Sequence, residues 1–302
     1  MSGSKTPYSE FCRVTYVPLH LQPWWLDAVC GPDNWGAAIT AVRQGIPMGV
    51  MPYFKTRRMG LPIIQQPPFT AYAGPWFHSD VQYAAASWYK QQRILENLID
   101  QLPRVVFFQQ CFHPSIQNWL PFYWTGFHQT TRYTHLLPGT IDTANLYDSF
   151  KSSLRTELRR AAEYTEVMEV EDPEPIFRLN KLSFARKGLR QPYSLSTFQR
   201  LYQALVVRRQ ALALLACNRK TGTPQAGLYL VFDARQASVL LTGLDPAYRQ
   251  TGTLHGLYWH AIQYCAARKL RLDFEGSMQP GIEHVFRGFG GQRTPYMQIW
   301  RY

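Results

Sequence analysis

Gly222-Thr223-Pro224-Gln225-Ala226-Gly227 lies between two apolar runs, Ala213-Leu214-Leu215-Ala216-Cys217 before it and Leu228-Tyr229-Leu230-Val231-Phe232 after it. The runs are short, and Gly and Pro punctuate turns, so the stretch reads as strand, turn, strand. Far upstream, Gly45-Ile46-Pro47-Met48-Gly49 stands in the same setting. Ala37-Ala38-Ile39-Thr40-Ala41-Val42 precedes it and Val50-Met51-Pro52-Tyr53-Phe54 follows it. Two copies of one unit imply a duplicated domain, and a duplicated domain implies a cleft where the copies meet.

Working outward, the first half predicts a short helix at Trp24–Val29 and strands near 35–43 and 47–58. Pro67-Pro68 excludes a helix in the aromatic passage that follows. Ser79-Asp80 caps a long helix on which Val81, Ala84, Ala85, Trp88, Leu95, Leu98 and Leu102 keep a helical period until Pro103. Val105–Phe108 is a buried strand by composition. Thr143–Tyr164 joins the halves as a helix with an apolar stripe of Leu154, Leu158, Ala161 and Ala162. The second half predicts helices at 176–187 and 195–209, the hairpin, and a strand at Ser238–Gly243. A loop, Asp245–Gly252, then leads into a helix, followed by a strand at Leu270–Phe274, a short helix at Gly281–Gly288 and a last strand near Tyr296. This is an α+β pattern written twice, over residues 1–145 and 146–302.

At 302 residues the chain has room for two cores, and 46% hydrophobic residues are enough to fill them. No run approaches the roughly 18 consecutive apolar residues of a bilayer span. The start, Met1-Ser2-Gly3-Ser4-Lys5-Thr6-Pro7, lacks the apolar centre of a secretory signal. The five cysteines are scattered, with neither metal-ligand spacing nor a disulfide framework, and no metal site is expected. A cytoplasmic protein is the simplest expectation. The formal charge is +12, and from Pro175 to Phe232 there are ten Lys and Arg but no Asp or Glu. Like charges gathered without acids call for an anionic partner: nucleotide phosphates, a nucleic acid or an anionic membrane surface.

The element order, with its loop before the main helix, resembles the GNAT acyltransferase fold. The last third goes further. Leu270-Arg271-Leu272-Asp273-Phe274-Glu275-Gly276-Ser277, Pro280-Gly281-Ile282-Glu283, Phe286-Arg287-Gly288-Phe289-Gly290 and Thr294-Pro295-Tyr296 are similar to the closing block of Fem-type proteins. These are the tandem-GNAT aminoacyltransferases of peptidoglycan bridge formation and their relatives. Ser153–Ala161 resembles the basic helix that opens their second repeat. The resemblance implies two GNAT-like domains, each a mixed, mostly antiparallel sheet flanked by helices, and transfer of an acyl or aminoacyl group to an amine on a small molecule or peptide. The donor it implies is acyl-coenzyme A or aminoacyl-tRNA. Coenzyme-A enzymes of this fold carry Gln/Arg-x-x-Gly-x-Gly/Ala; here Arg249-Gln250-Thr251-Gly252-Thr253-Leu254 keeps the Arg and the first Gly but ends in Leu. The departure points away from coenzyme A without deciding the donor.

Amine acylation needs a base, donors for the oxyanion, and two reactants held together. Asp273 and Glu275, two apart on a strand, would share one face about 7 Å apart and attract a cationic amine. They are the candidate catalytic residues. Arg249, Thr251, Gly252 and Thr253 are candidates for donor phosphates at a helix N-terminus, with Arg155, Arg159, Arg186 and Lys187 as further cations. Two other classes stay open: an ordinary acyl-coenzyme-A-dependent N-acetyltransferase, and a non-catalytic basic module that docks RNA or anionic lipid. The first repeat puts Asp80 where phosphate would sit, so the second is expected to hold the donor.

Overall fold

The computed structural model describes residues 5–40, 42–43, 46–82 and 88–302. Ala41 and Gly45 of the first turn, and Ala84 and Ala85 of the expected helix, lie outside the described residues. The chain divides into two units, Met1–Arg132 with Pro295–Tyr302, and Tyr133–Thr294. The boundaries therefore fall earlier than 145/146, and the last eight residues return to the first unit.

The first unit opens with α1 (Lys5–Val14) and α2 (Pro23–Cys30). Strand β1 (Trp35–Ile39) pairs antiparallel with β4 (Gly49–Arg58), around a small ladder of β2 (Val42–Arg43) and β3 (Ile46–Pro47). Next comes β5 (Leu61–Gln65), antiparallel to β4, a strand that the sequence reading missed. Strand β6 (Trp76–Phe77) adds to the start of β4. Helices α3 (Ser79–Gln82) and α4 (Trp88–Asp100) lead to β7 (Phe107–Cys111), which runs parallel to β5. Helix α5 (Leu120–Trp124) follows.

The second unit begins within β8 (His128–Leu137). It continues through α6 (Thr143–Ser149), α7 (Ser152–Tyr164) and β9 (Thr165–Glu169) to α8 (Glu174–Arg186) and α9 (Leu195–Arg208). The hairpin is β10 (Ala211–Asn218) and β11 (Pro224–Phe232), with β12 (Gln236–Leu244) antiparallel beside it. Helix α10 (Thr253–Ala267) carries the chain to β13 (Arg271–Asp273), parallel to β12. Helix α11 (Pro280–Gly288) and β14 (Gln292–Arg301) end the chain.

The two halves thus repeat one order: helix, helix, three antiparallel strands, a crossover helix, a parallel strand, a helix and a last strand. The last strands change places. Residues Gln298–Arg301 of β14 pair with β7 of the first unit, and Leu136 and Leu137 of β8 pair with β13 of the second. No local pattern announces that exchange, which is why the halves split by sequence differ from the compact units.

Strands β10 and β11 are apolar over residues 211–217 and 226–232 because both of their faces are covered there. Leu212, Leu214, Leu228 and Leu230 pack in one cluster with Leu257, Ala261 and Cys265 of α10. Alternate positions face the other layer: the Tyr229 ring meets Phe198 of α9, and a Cβ at Gly227 would crowd Ile176 of α8.

Candidate functional site

Strands β12 and β13 pair over three residues only, Gln236–Ser238 with Arg271–Asp273, while β12 runs on to Leu244. Leu240 is an extra residue in that continuation, because the register against β11 shifts from Val239 opposite Leu230 to Leu241 opposite Tyr229. A bulge twists and re-aims a strand, and here it sits where β12 has lost its partner. A cavity of about 650 Å³ opens at the divergence, and every residue lining it belongs to the second unit. Its volume is that of a small-molecule or cofactor site.

The floor is Val239–Leu244; one wall is the start of α10, Thr253 to His255 with Tyr258, and the other is the end of α8. The loop before α10 turns on Gly252, at φ 71°, whose Cα faces the Glu157 carbonyl of α7 so closely that a Cβ would collide with it. Thr251 Oγ1 lies 2.6 Å from the Tyr248 carbonyl and 2.5 Å from Thr253 Oγ1, which in turn lies 3.0 Å from Gln225 Oε1, so the two hydroxyl protons are shared along this chain. Both threonine hydroxyls thus brace the loop, while Gly252, as N-cap, brings no side chain to cover the first N–H groups of α10. Those groups and the helix dipole suit an anion. Leu254 lines the cavity beside them.

Of the expected cations, Arg249, Arg186 and Lys187 line the cavity. Lys187 Nζ donates to Gln279 Oε1 at 2.8 Å, and partial burial, with Arg186 beside it, lowers its pKa. Arg155 and Arg159 do not line it. Arg155 donates to the Asp148 carbonyl, and Arg159 is exposed on α7. Their neighbour Arg160 instead donates to the Gln250 carbonyl at 2.7 Å and so holds the loop.

Asp273 and Glu275 are not a pair on one strand face. The strand ends at Asp273, and Glu275 and Gly276 both take φ 55°, a left-handed kink that turns the chain away. Asp273 is 1% exposed, and its Oδ1 accepts from Thr134 Oγ1 at 2.5 Å and from the Glu275 N–H at 2.8 Å. Glu275, half-buried, lines the cavity; Asp273 does not. A non-glycine residue held left-handed is strained, and such strain gathers at functional sites. The neighbouring Arg287 is engaged elsewhere, approaching Glu283 at 3.4 Å.

The sequence reading missed Asn180. It is buried on α8, donates to the Thr242 carbonyl at 2.7 Å, and accepts from Gln191 Nε2 at 2.7 Å and Tyr193 Oη at 2.9 Å. One amide thus ties β12 to the loop after α8. The signal was available, since an Asn one turn after Ile176 falls on the helix's apolar stripe. Tyr258 also lines the cavity; burial raises its pKa to about 12 against a hydrogen bond with Thr242 that lowers it. Tyr248 lines the cavity, whereas Tyr296 lies in the first unit and accepts from Arg132 Nε at 3.2 Å. Among the described residues, no cluster of three or more His, Cys, Asp or Glu converges as a metal site.

Residues 148–280 match the acetyltransferase (GNAT) domain family. Solved structures carry the same fold over nearly the whole chain. FemX aligns at 14% identity and TM-score 0.68, covering 98% of this chain and 96% of that one. The C-terminal domain of a putative lysylphosphatidylglycerol synthetase from Agrobacterium fabrum aligns at 12% and 0.56, covering 99% and 93%. A tandem GNAT protein from the clavulanic acid biosynthesis pathway aligns at 11% and 0.55, covering 99% and 93%. No protein of curated function matches the sequence. The chain thus has the fold of these tandem GNAT structures, and the match of residues 148–280 to the acetyltransferase (GNAT) domain supports an acyltransferase.

Proposed function

We propose that the protein transfers an acyl or aminoacyl group from a phosphate-bearing carrier, seated in the second unit's cavity, to an amine. The observation that supports this is the divergence of β12 from β13 beside the uncapped start of α10, with Arg186, Lys187 and Arg249 around it and Glu275 within. The helix start and the three cations hold the carrier's phosphates. The amine nitrogen attacks the donor carbonyl; a C–N bond forms, the carbonyl's bond to the carrier oxygen or sulfur breaks, and the amine's proton passes to Glu275. Backbone N–H groups along the parted stretch of β12 meet the oxyanion. Asp273 is then a positioning residue that holds Glu275 through its N–H.

For the carrier we favour aminoacyl-tRNA. Leu254 narrows the approach to the start of α10, and the acid-free stretch from Pro175 to Phe232 supplies cations well beyond the needs of a small nucleotide. The match of residues 148–280 to the GNAT domain family supports acyl-coenzyme A as the second reading. The acceptor is an amine on a peptide or small molecule. Titrating the protein with acetyl-coenzyme A and, separately, with mixed aminoacylated tRNA decides between them. Heat and a thermal shift with acetyl-coenzyme A alone remove the tRNA reading. Binding of tRNA that weakens steeply with salt supports it, and no response to either donor removes both.

A further inference from the structure

The β4–β5 hairpin of the first unit turns through Met59 and Gly60, at φ 51° and 79°, between Arg58 and its partner Leu61. Two successive left-handed residues make the tight hairpin turn whose first position favours Asn or Asp. A long apolar side chain there gains nothing in folding, and Met59 is 96% exposed. Its neighbours continue the pattern. Arg57 and Arg58 precede it, Leu61 follows at 53% exposure, and the Val106 N–H donates to the Pro62 carbonyl, bringing the half-exposed Val106 alongside. At the next strand end the exposed Tyr302 ring packs against Phe107 at 5.4 Å. Arg301 lies over the Phe127 ring and donates to the Thr125 carbonyl, next to the exposed Trp124. The segments that build this rim, 55–63, 101–127 and 295–302, contain no Asp or Glu.

We infer that this strand-end rim of the first unit docks on an anionic phospholipid bilayer, with Met59 and Leu61 entering the headgroup region and Arg57 and Arg58 meeting lipid phosphates. Charge complementarity selects the occupant: exposed apolar and aromatic tips ringed by arginine, with no acid on the same segments, match a surface that is negative outside and apolar beneath. A second copy of the rim would bring like charges together. The inference stands apart from the assignment of the donor cavity, which lies wholly in the other unit.

The test is co-sedimentation of the full chain with large vesicles of equimolar phosphatidylglycerol and phosphatidylcholine, against vesicles of phosphatidylcholine alone. The protein is expected on the anionic vesicles at least tenfold more strongly. Replacing Arg57 and Arg58 with Gln is expected to weaken that binding by about 25-fold, about fivefold per arginine. Met59→Asn keeps the turn, since Asn suits its left-handed position, and is expected to weaken binding several-fold with no change in thermal midpoint. No binding to anionic vesicles, or binding that all three substitutions leave intact, overturns the inference. So does loss on R57Q/R58Q with none on Met59→Asn, which describes a site for a soluble polyanion. Self-association in sedimentation velocity that Met59→Asn abolishes overturns it too, by assigning the rim to a second copy.

Discussion

The two units run the same path to opposite ends. In each, the third antiparallel strand meets its parallel partner briefly and then leaves it. In the second unit the gap between β12 and β13 stays open as the cavity, and a short loop, Asp245–Gly252, leads into a fifteen-residue helix. In the first unit the gap between β5 and β7 is filled. Gln66 Oε1 accepts from the Cys111 N–H at 2.8 Å, the Ala73 N–H donates to the Cys111 carbonyl at 2.7 Å, and the buried Tyr72 packs its ring between His113 and Tyr296. The longer segment from Gln66 to Phe77 acts as a plug, and Trp76 anchors it by donating to the Tyr16 carbonyl. The same topology therefore makes an open cavity or a packed core according to what occupies the divergence.

The sharpest way to break this comparison is to exchange the acids. Glu275→Gln is expected to cut transfer about 10²–10⁴-fold with donor affinity kept, while Asp80→Asn in the first unit leaves the rate unchanged, both followed by mass spectrometry of the acylated product. Equal losses would mean that the first unit is not idle. Next come the two left-handed glycines. Gly252→Ala meets the Glu157 carbonyl and Gly74→Ala the Phe112 ring, so each is expected to cost about 2 kcal/mol or more in urea unfolding. Only Gly252→Ala should also abolish donor binding.

The two amides that manage each divergence give a smaller contrast. Asn180→Ala and Gln66→Ala each strand several hydrogen-bonding groups, at about 1–3 kcal/mol. Asn180→Ala should weaken donor binding as well, because it frees the loop bearing Tyr193; Gln66→Ala should not. Calorimetry on both variants checks this.

The smallest effect concerns pH. His135 is fully buried in the second unit, and neither ring nitrogen has a hydrogen-bond partner among the described residues. Burial lowers its pKa, against Glu283 at 3.7 Å, which raises it, while Arg293 and Arg287 lower it further. Burial lowers His255 and His260 likewise. The unfolded chain then binds more protons, so stability is full above about pH 6.5 and falls as pH drops below it, by up to about 1.4 kcal/mol per pH unit for each histidine. His135→Leu should flatten that slope by one histidine's share in urea midpoints between pH 5 and 7.

What the sequence by itself determined was local. The hairpin runs, the crossover helix and the element order follow from apolar periodicity and turn residues, which act between near neighbours. The basic stretch, and the glycine at the start of α10, could be read for the same reason. Strand β5 escaped because its turn, Met59-Gly60, does not carry the usual turn pair. Tertiary structure alone decided which strand closes which unit, since β8 and β14 are chosen by partners far away in the chain. It also separated Asp273 from Glu275. Two acids two residues apart look equivalent while the strand is assumed to continue. They part because the strand ends at Asp273, whose buried carboxylate accepts from the Glu275 N–H at the kink, while Glu275 lines the cavity.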